Sequence, residues 1–163
     1  MPANNKCSNE TILRCLRHQR AGVRLALTQH GFTDRRSAVN AAWALSHLPG
    51  PDNRYIAEYR ELLVELALTT PDTSLRRLSL ALLERLEWGR AEVRTDLLDF
   101  CLDRLVRSDE PVGVRALCLK LAYSQCRHYP ELCGELRRIL LLMEPADLKP
   151  ALNHIRMKTL KLL

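Results

Sequence analysis

The chain has 163 residues, of which 47% are hydrophobic, 27% are charged and 5% are aromatic, and its formal net charge is +6. This length favours one domain with a continuous core, and the composition is ordinary for a globular protein. The longest apolar run, Ile139 to Met143, is far shorter than the roughly 20 residues of a membrane-spanning helix. The first residues also lack the apolar stretch of a signal peptide. We therefore expect a cytoplasmic protein with no membrane partner.

Abundant leucine, few aromatics and the absence of β-branched runs favour an all-helical chain. Proline, glycine and aspartate mark the breaks between helices. The predicted helices, in chain order, are 9–18, 20–30, 34–48, 53–70, 72–88, 91–107, 110–127, 130–144 and 147–162. We expect one domain, 1–163, with an N-terminal helix in 1–19 and four antiparallel hairpins at 20–50, 51–89, 90–128 and 129–163.

Aspartate recurs at a nearly fixed interval, at Asp34, Asp72, Asp109 and Asp147, with separations of 38, 37 and 38 residues. Each stands beside a turn signal and just before an apolar run with helical periodicity. Self-similarity at this interval is the signature of a helical repeat array. We expect each aspartate to cap the second helix of its hairpin, where a carboxylate accepts a backbone N–H bond and complements the helix dipole.

Apolar columns give an independent test of the same repeat. In the first helices one column recurs at steps of 39 and 38 residues, as Tyr59, Leu98 and Leu136. In the second helices one column recurs at steps of 37 and 39 residues, as Trp43, Leu80 and Leu119, and small residues occupy a neighbouring column, as Ala42, Ser79 and Cys118. Large columns beside a small one are typical of helices that stack closely on copies of themselves. These columns, Trp43 included, are the predicted core.

The pattern resembles the HEAT/armadillo-type helical repeats, in which an Asp at the internal turn is followed by Val-Arg. The matching residues are Asp109 with Val114-Arg115 and, more loosely, Asp72 with Leu75-Arg76-Arg77, whereas the first and last hairpins depart from the motif with Val39-Asn40 and Leu152-Asn153. Ala41 to His47, Asp109 to Arg115 and Tyr129 to Leu132 are also similar to small bacterial HEAT-like proteins of unassigned function. The resemblance covers residues 20–163 and implies an all-α, right-handed α-α superhelix used as a binding scaffold.

Positive charge is concentrated on the second helices. The first helices with their loops balance ten basic residues against eleven acidic ones, whereas the second helices hold twelve basic residues and, away from their starts, only Glu84 and Glu87 as acids. The resemblance implies that second helices line a concave binding face. The candidate binding residues are Arg36, Asn40, Arg76, Arg77, Arg115, Lys120, Arg156 and Lys158. The same pattern also fits a structural ladder, in which Arg76, Arg77 and Arg115 pair with aspartates of adjacent repeats.

No catalytic or metal-binding pattern is present in the sequence. Six cysteines include no C-x-x-C pair, and five histidines form no H-x-x-x-H. Cys101 and Cys118 lie in apolar helical runs and are interpreted as buried structural thiols. Phosphate-binding and nucleophile motifs are missing as well. We therefore expect no catalytic residues, no metal and no cofactor.

The sequence favours a non-enzymatic scaffold that binds an acidic partner, most simply an acidic protein segment. The alternative is a nucleic-acid-binding protein related to the helical-repeat DNA glycosylases of alkylation repair, which also present a basic concave face. Such enzymes hold an extruded base among aromatic side chains, and the predicted burial of Trp43 argues against that chemistry. The last helix ends Thr159-Leu160-Lys161-Leu162-Leu163, with leucines up to the terminus and no polar capping repeat, which suggests homodimerisation through exposed ends of the array.

Overall fold

The structure is a computed structural model that describes residues 23, 24 and 35–163. The chain divides into two compact units, Met1–Leu86 and Glu87–Leu163. Val23 and Arg24 are helical. The predicted helix at 9–18, most of the helix at 20–30 and the predicted cap Asp34 lie outside the described residues.

The first unit contains four described α-helices and one short 3₁₀-helix. They are α1 (Arg35–Ser46), a 3₁₀-helix (Gly50–Asp52), α2 (Asn53–Ala57), α3 (Arg60–Thr69) and α4 (Thr73–Glu84). Helix α4 packs against both α3 and α1. The predicted helix at 53–70 is thus two helices, because the backbone at Tyr59 takes φ −106° and ψ 8° between them.

The second unit contains four further α-helices. They are α5 (Thr95–Val106), α6 (Val112–Cys126), α7 (Pro130–Leu142) and α8 (Pro150–Leu160), with 3₁₀-helices at Arg90–Glu92 and Pro145–Asp147. Helix α6 packs against α5, α7 and α8. Across the described residues the chain forms helices and no strand, so the predicted all-α class is confirmed. The hairpins α3–α4, α5–α6 and α7–α8 correspond to the last three predicted repeats.

The predicted apolar columns form the core, with one exception. Leu80, Leu119 and Leu136 are fully buried, and Tyr59 and Leu98 are 4% exposed. The small column Ala42, Ser79 and Cys118 is also fully buried. Each fully buried leucine contributes about 1.5–3 kcal/mol relative to an exposed one.

Trp43 is the exception. The prediction that it belongs to the core is wrong, because its side chain is 48% exposed and its ring lies 3.9 Å from that of His47. Trp88, at the end of the predicted helix 72–88, is instead 1% exposed. Of the two tryptophans, the exposed one is therefore Trp43 on α1.

Of the three recurring aspartates that the structure describes, Asp72 caps α4 and the other two do not cap a helix. The Asp72 carboxylate accepts hydrogen bonds from the backbone N–H groups of Ser74 (2.8 Å) and Leu75 (3.2 Å). Asp109 instead forms a 2.8 Å ion pair with Arg107, and Asp147 ends the 3₁₀-helix before α8. The N-cap residues of α6 and α8 are Pro111 and Lys149, without a side-chain cap.

Proline accounts for these two departures. Pro111 fixes the extended backbone that precedes α6, and Pro150 is the first residue of α8. A proline there presets the backbone angles of the first turn and removes one of the N–H groups that a cap would satisfy. The recurring aspartates therefore mark the repeat, and of the three described ones only Asp72, which no proline follows within three residues, caps its helix. No helix of the described ranges is long and apolar enough to cross a bilayer.

Candidate binding surface on the second helices

The helix boundaries sharpen the charge separation between the two helices of each hairpin. The second helices, α1, α4, α6 and α8, contain eight Arg or Lys residues and a single acid, Glu84. The first helices, α2, α3, α5 and α7, contain five basic and seven acidic residues. Among the described helices, the net positive charge therefore belongs to the second helices.

Three of these arginines are structural. Each donates a hydrogen bond to a carbonyl near the end of the first helix of its own hairpin: Arg76 Nη2 to Thr70 O (2.6 Å), Arg115 Nε to Leu105 O (2.9 Å) and Arg156 Nε to Leu140 O (2.6 Å). The last carbonyls of a helix lack intrahelical partners and carry the negative end of its dipole. A guanidinium satisfies both requirements. We call these three residues the hairpin arginines.

The hairpin arginines correct two of the sequence-based expectations. Arg115 is 8% exposed and Arg156 is 5% exposed, so neither forms part of an exposed basic face. The ladder hypothesis paired Arg115 with an aspartate of an adjacent repeat, whereas the hydrogen bonds of Arg115 and Arg156 go to backbone carbonyls of their own hairpins. A signal for this role is present in the sequence, because each hairpin arginine lies three residues before a small buried residue: Ser79, Cys118 or Thr159.

Arg85 is a further structural arginine that the sequence analysis did not single out. Its Nη1 donates to Ser46 O (3.0 Å) and its Nη2 to Leu48 O (2.5 Å). Its Nε and Nη2 both donate to Asn53 Oδ1 (3.1 and 2.7 Å), and Asn53 Nδ2 donates back to Arg85 O (3.0 Å). Arg85 thus joins the end of α4 to the end of α1 and the start of α2.

The remaining candidates are exposed. In the first unit, Arg36 and Asn40 lie on α1 and Arg77 lies on α4. In the second unit, Lys120 lies on α6 and Lys158 on α8. Because the two units are separate bodies, each set forms its own surface.

The second helices of the second unit are more uniformly basic than those of the first unit, where α4 contains Glu84. Helices α6 and α8 pack against each other, and neither contains an acidic residue within its bounds. Lys120 and Lys161 are exposed and occupy equivalent positions, since both lie five residues after a hairpin arginine. Met157 and Lys158 are exposed on α8, and Lys161 is exposed at the C-terminal cap of that helix. We call Lys120, Met157, Lys158 and Lys161 the α6–α8 surface.

Two of the described thiols, those of Cys101 and Cys126, are poor nucleophiles in their environment. Cys101 and Cys118 are buried free cysteines, and a hydrogen bond that the Cys101 thiol donates to Cys118, together with burial, raises the pKa of Cys101. Burial also raises the pKa of Cys126 to about 12. Thiols with raised pKa values stay protonated near neutral pH, and the thiolate is the reactive form. Within the ranges that the structure describes, no three potential ligands cluster in a way that could hold a metal ion.

Comparison with known proteins agrees with the repeat architecture. The family model described as HEAT repeat domain matches residues 6–163, which is nearly the whole chain. Neither a curated protein nor a solved structure matches the chain. The family assignment agrees with the resemblance inferred from the aspartate interval and the apolar columns. The chain therefore belongs to the HEAT repeat domain family.

Proposed function

We propose that this chain is a non-catalytic interaction scaffold that binds an acidic protein segment through exposed cations of its second helices. HEAT repeat domains are helical scaffolds, generally non-catalytic and often used for protein interaction. The observation that carries the proposal is the α6–α8 surface, where two packed helices present lysines and contain no acidic residue within their bounds. An acidic segment would bring carboxylates to these exposed lysines.

The energetics require several contacts at once. A single exposed ion pair contributes at most about 1 kcal/mol and is screened by salt. The lysines at 120, 158 and 161 together attract an acidic chain over a longer range than any one of them alone. Met157, which is 46% exposed, adds an apolar contact beside these charges. We therefore expect moderate affinity that decreases with ionic strength.

The experiment compares an acidic probe with matched variants. The probe is a fluorescein-labelled peptide of alternating glutamate and leucine residues, measured by fluorescence anisotropy at two salt concentrations. Lys158→Glu is expected to weaken binding about fivefold, because reversing one exposed charge costs about 1 kcal/mol of binding free energy. The control is Arg138→Glu on α7, which makes the same charge change at an exposed site of a first helix in the same unit. Equal effects of the two variants would refute the proposal.

A second candidate function is nucleic-acid binding, and the exposure of Trp43 favours it. Trp43 lies on α1 with Arg36 and Asn40, so an aromatic ring and a cation are exposed on one helix. Bases stack on such rings while cations hold the phosphates. Under this alternative a single-stranded oligonucleotide binds more tightly than the acidic peptide, and its affinity falls steeply as the salt concentration rises. Trp43→Ala lowers the affinity for the oligonucleotide about tenfold.

A further inference from the structure

A cleft of about 420 Å³ lies within the second unit. Its lining includes Val106 at the end of α5, Leu142 at the end of α7, Met143 just beyond it, and the hairpin arginine Arg115. Val106 is 52% exposed and Leu142 is 81% exposed, so the apolar rim is open to solvent. The volume is in the range of small ligand sites and is sufficient for a few side chains.

Arg115 has hydrogen-bonding capacity to spare in this cleft. A guanidinium has five N–H donors, and the hydrogen bond to Leu105 O uses the one on Nε. No carboxylate of the described residues forms an ion pair with Arg115, and the neighbouring buried acid, Glu110, is paired with Arg104 at 2.9 Å. The equivalent Arg156 differs, because its Nη1 also donates to Asn153 Oδ1 (3.4 Å). Among the described residues, Arg115 is thus a buried cation that forms no ion pair.

We propose that this cleft binds a short peptide segment in which one carboxylate is flanked by large apolar side chains. A buried charge is costly until it is paired, and a carboxylate fits the planar guanidinium in a two-pronged ion pair. The flanking apolar side chains cover Val106 and Leu142. Glu144 and Asp147 are exposed lining residues that repel a run of acids. The ligand therefore carries a single carboxylate, unlike the partner of the α6–α8 surface, and this site is independent of that proposed function.

The first test is a titration of the ¹⁵N-labelled full chain. The probe is a blocked pentapeptide with a central glutamate between pairs of leucines, carried on a glycine–serine tail for solubility. We expect saturable shifts at the Ser108 amide, at the Nε–H of Arg115 and across residues 142–148. The same peptide with glutamine in place of glutamate should bind about tenfold more weakly, because the ion pair is lost. Equal binding of both peptides, or no binding at millimolar concentration, would overturn the proposal.

Matched variants locate the site. Leu142→Ser should weaken the glutamate peptide about fivefold, whereas Leu141→Ser should change it less than twofold, because Leu141 is 59% exposed but does not line the cleft. Arg115→Gln should abolish the preference for glutamate over glutamine. If that variant fails to fold, the two leucine variants still decide. Lys158→Glu should leave the binding of the glutamate peptide unchanged. If this variant lost peptide binding, the peptide would be bound by the α6–α8 surface, and the cleft proposal would be overturned.

Discussion

Arg85→Met is expected to lower the free energy of unfolding of the first unit by about 3 kcal/mol. The guanidinium satisfies three acceptors, Ser46 O, Leu48 O and Asn53 Oδ1, at 2.5–3.1 Å. Methionine keeps much of the apolar stem and removes every donor. An acceptor left unpaired costs about 1–3 kcal/mol, and partial burial places each of these near the lower end.

Urea unfolding followed by circular dichroism at 222 nm measures this loss. With a slope near 2 kcal/mol per molar urea, a loss of 3 kcal/mol lowers the midpoint by about 1.5 M. The matched control is Arg77→Met on the same helix α4, where the side chain is exposed and the same atoms are removed. Exposed surface substitutions usually change stability by less than about 0.5 kcal/mol.

Two results of this comparison would refute the prediction for Arg85. If the two variants shift the midpoint equally, or if Arg85→Met shifts it by less than about 0.3 M, the hydrogen bonds of Arg85 do not stabilise the junction of α4 with α1 and α2. A changed slope in Arg85→Met alone would mean that the unfolded or native state itself has altered.

Two further predictions concern the caps and the thiols. Asp72→Ala should cost about 1 kcal/mol of stability because it removes a cap with two hydrogen bonds, whereas Asp109→Ala should have little effect because its ion pair is exposed; thermal melts of both variants check this. A thiol reagent at pH 8 should modify Cys133, which is partly exposed, before Cys126, whose pKa is raised to about 12 by burial. Because the folded state holds that proton more tightly than the unfolded state, the stabilisation it gives is complete below about pH 9 and is lost as the pH rises toward 12. An alkaline stability curve identical in Cys126→Ala would contradict this.

The sequence predicts the repeat well because local apolar periodicity determines its helices. The second helix predicted at 72–88 appears as α4, Thr73–Glu84, and the columns containing Leu80 and Leu119 are buried. Apolar spacing determines which face of a helix packs, and cap and turn residues limit its ends. Both signals are contained in a short stretch of chain.

The candidate site is predicted less well because the exposure of a charged side chain depends on its neighbours in the folded structure. Arg77 and Arg115 are both arginines of second helices, yet the first is exposed and the second is buried on a backbone carbonyl. Counting charged residues does not distinguish the two, because every residue has a backbone carbonyl. The sequence separates them only by the residue three positions later, which is Cys118 after Arg115 and Leu80 after Arg77. Trp43 shows the opposite case, because a shared column gives the direction of its side chain but not how much of a large indole stays in solvent.

The hairpin arginines have a consequence for how an array of this kind can lengthen. Donor and acceptor lie within one hairpin in each case, in α3–α4, α5–α6 and α7–α8. A duplication or deletion that respects hairpin boundaries therefore copies or removes both atoms of the bond together. A rearrangement that begins within a hairpin separates a guanidinium from its carbonyl and leaves both unsatisfied. The hairpin, rather than the single helix, is thus the smallest segment that can be inherited with its arginine–carbonyl bond intact.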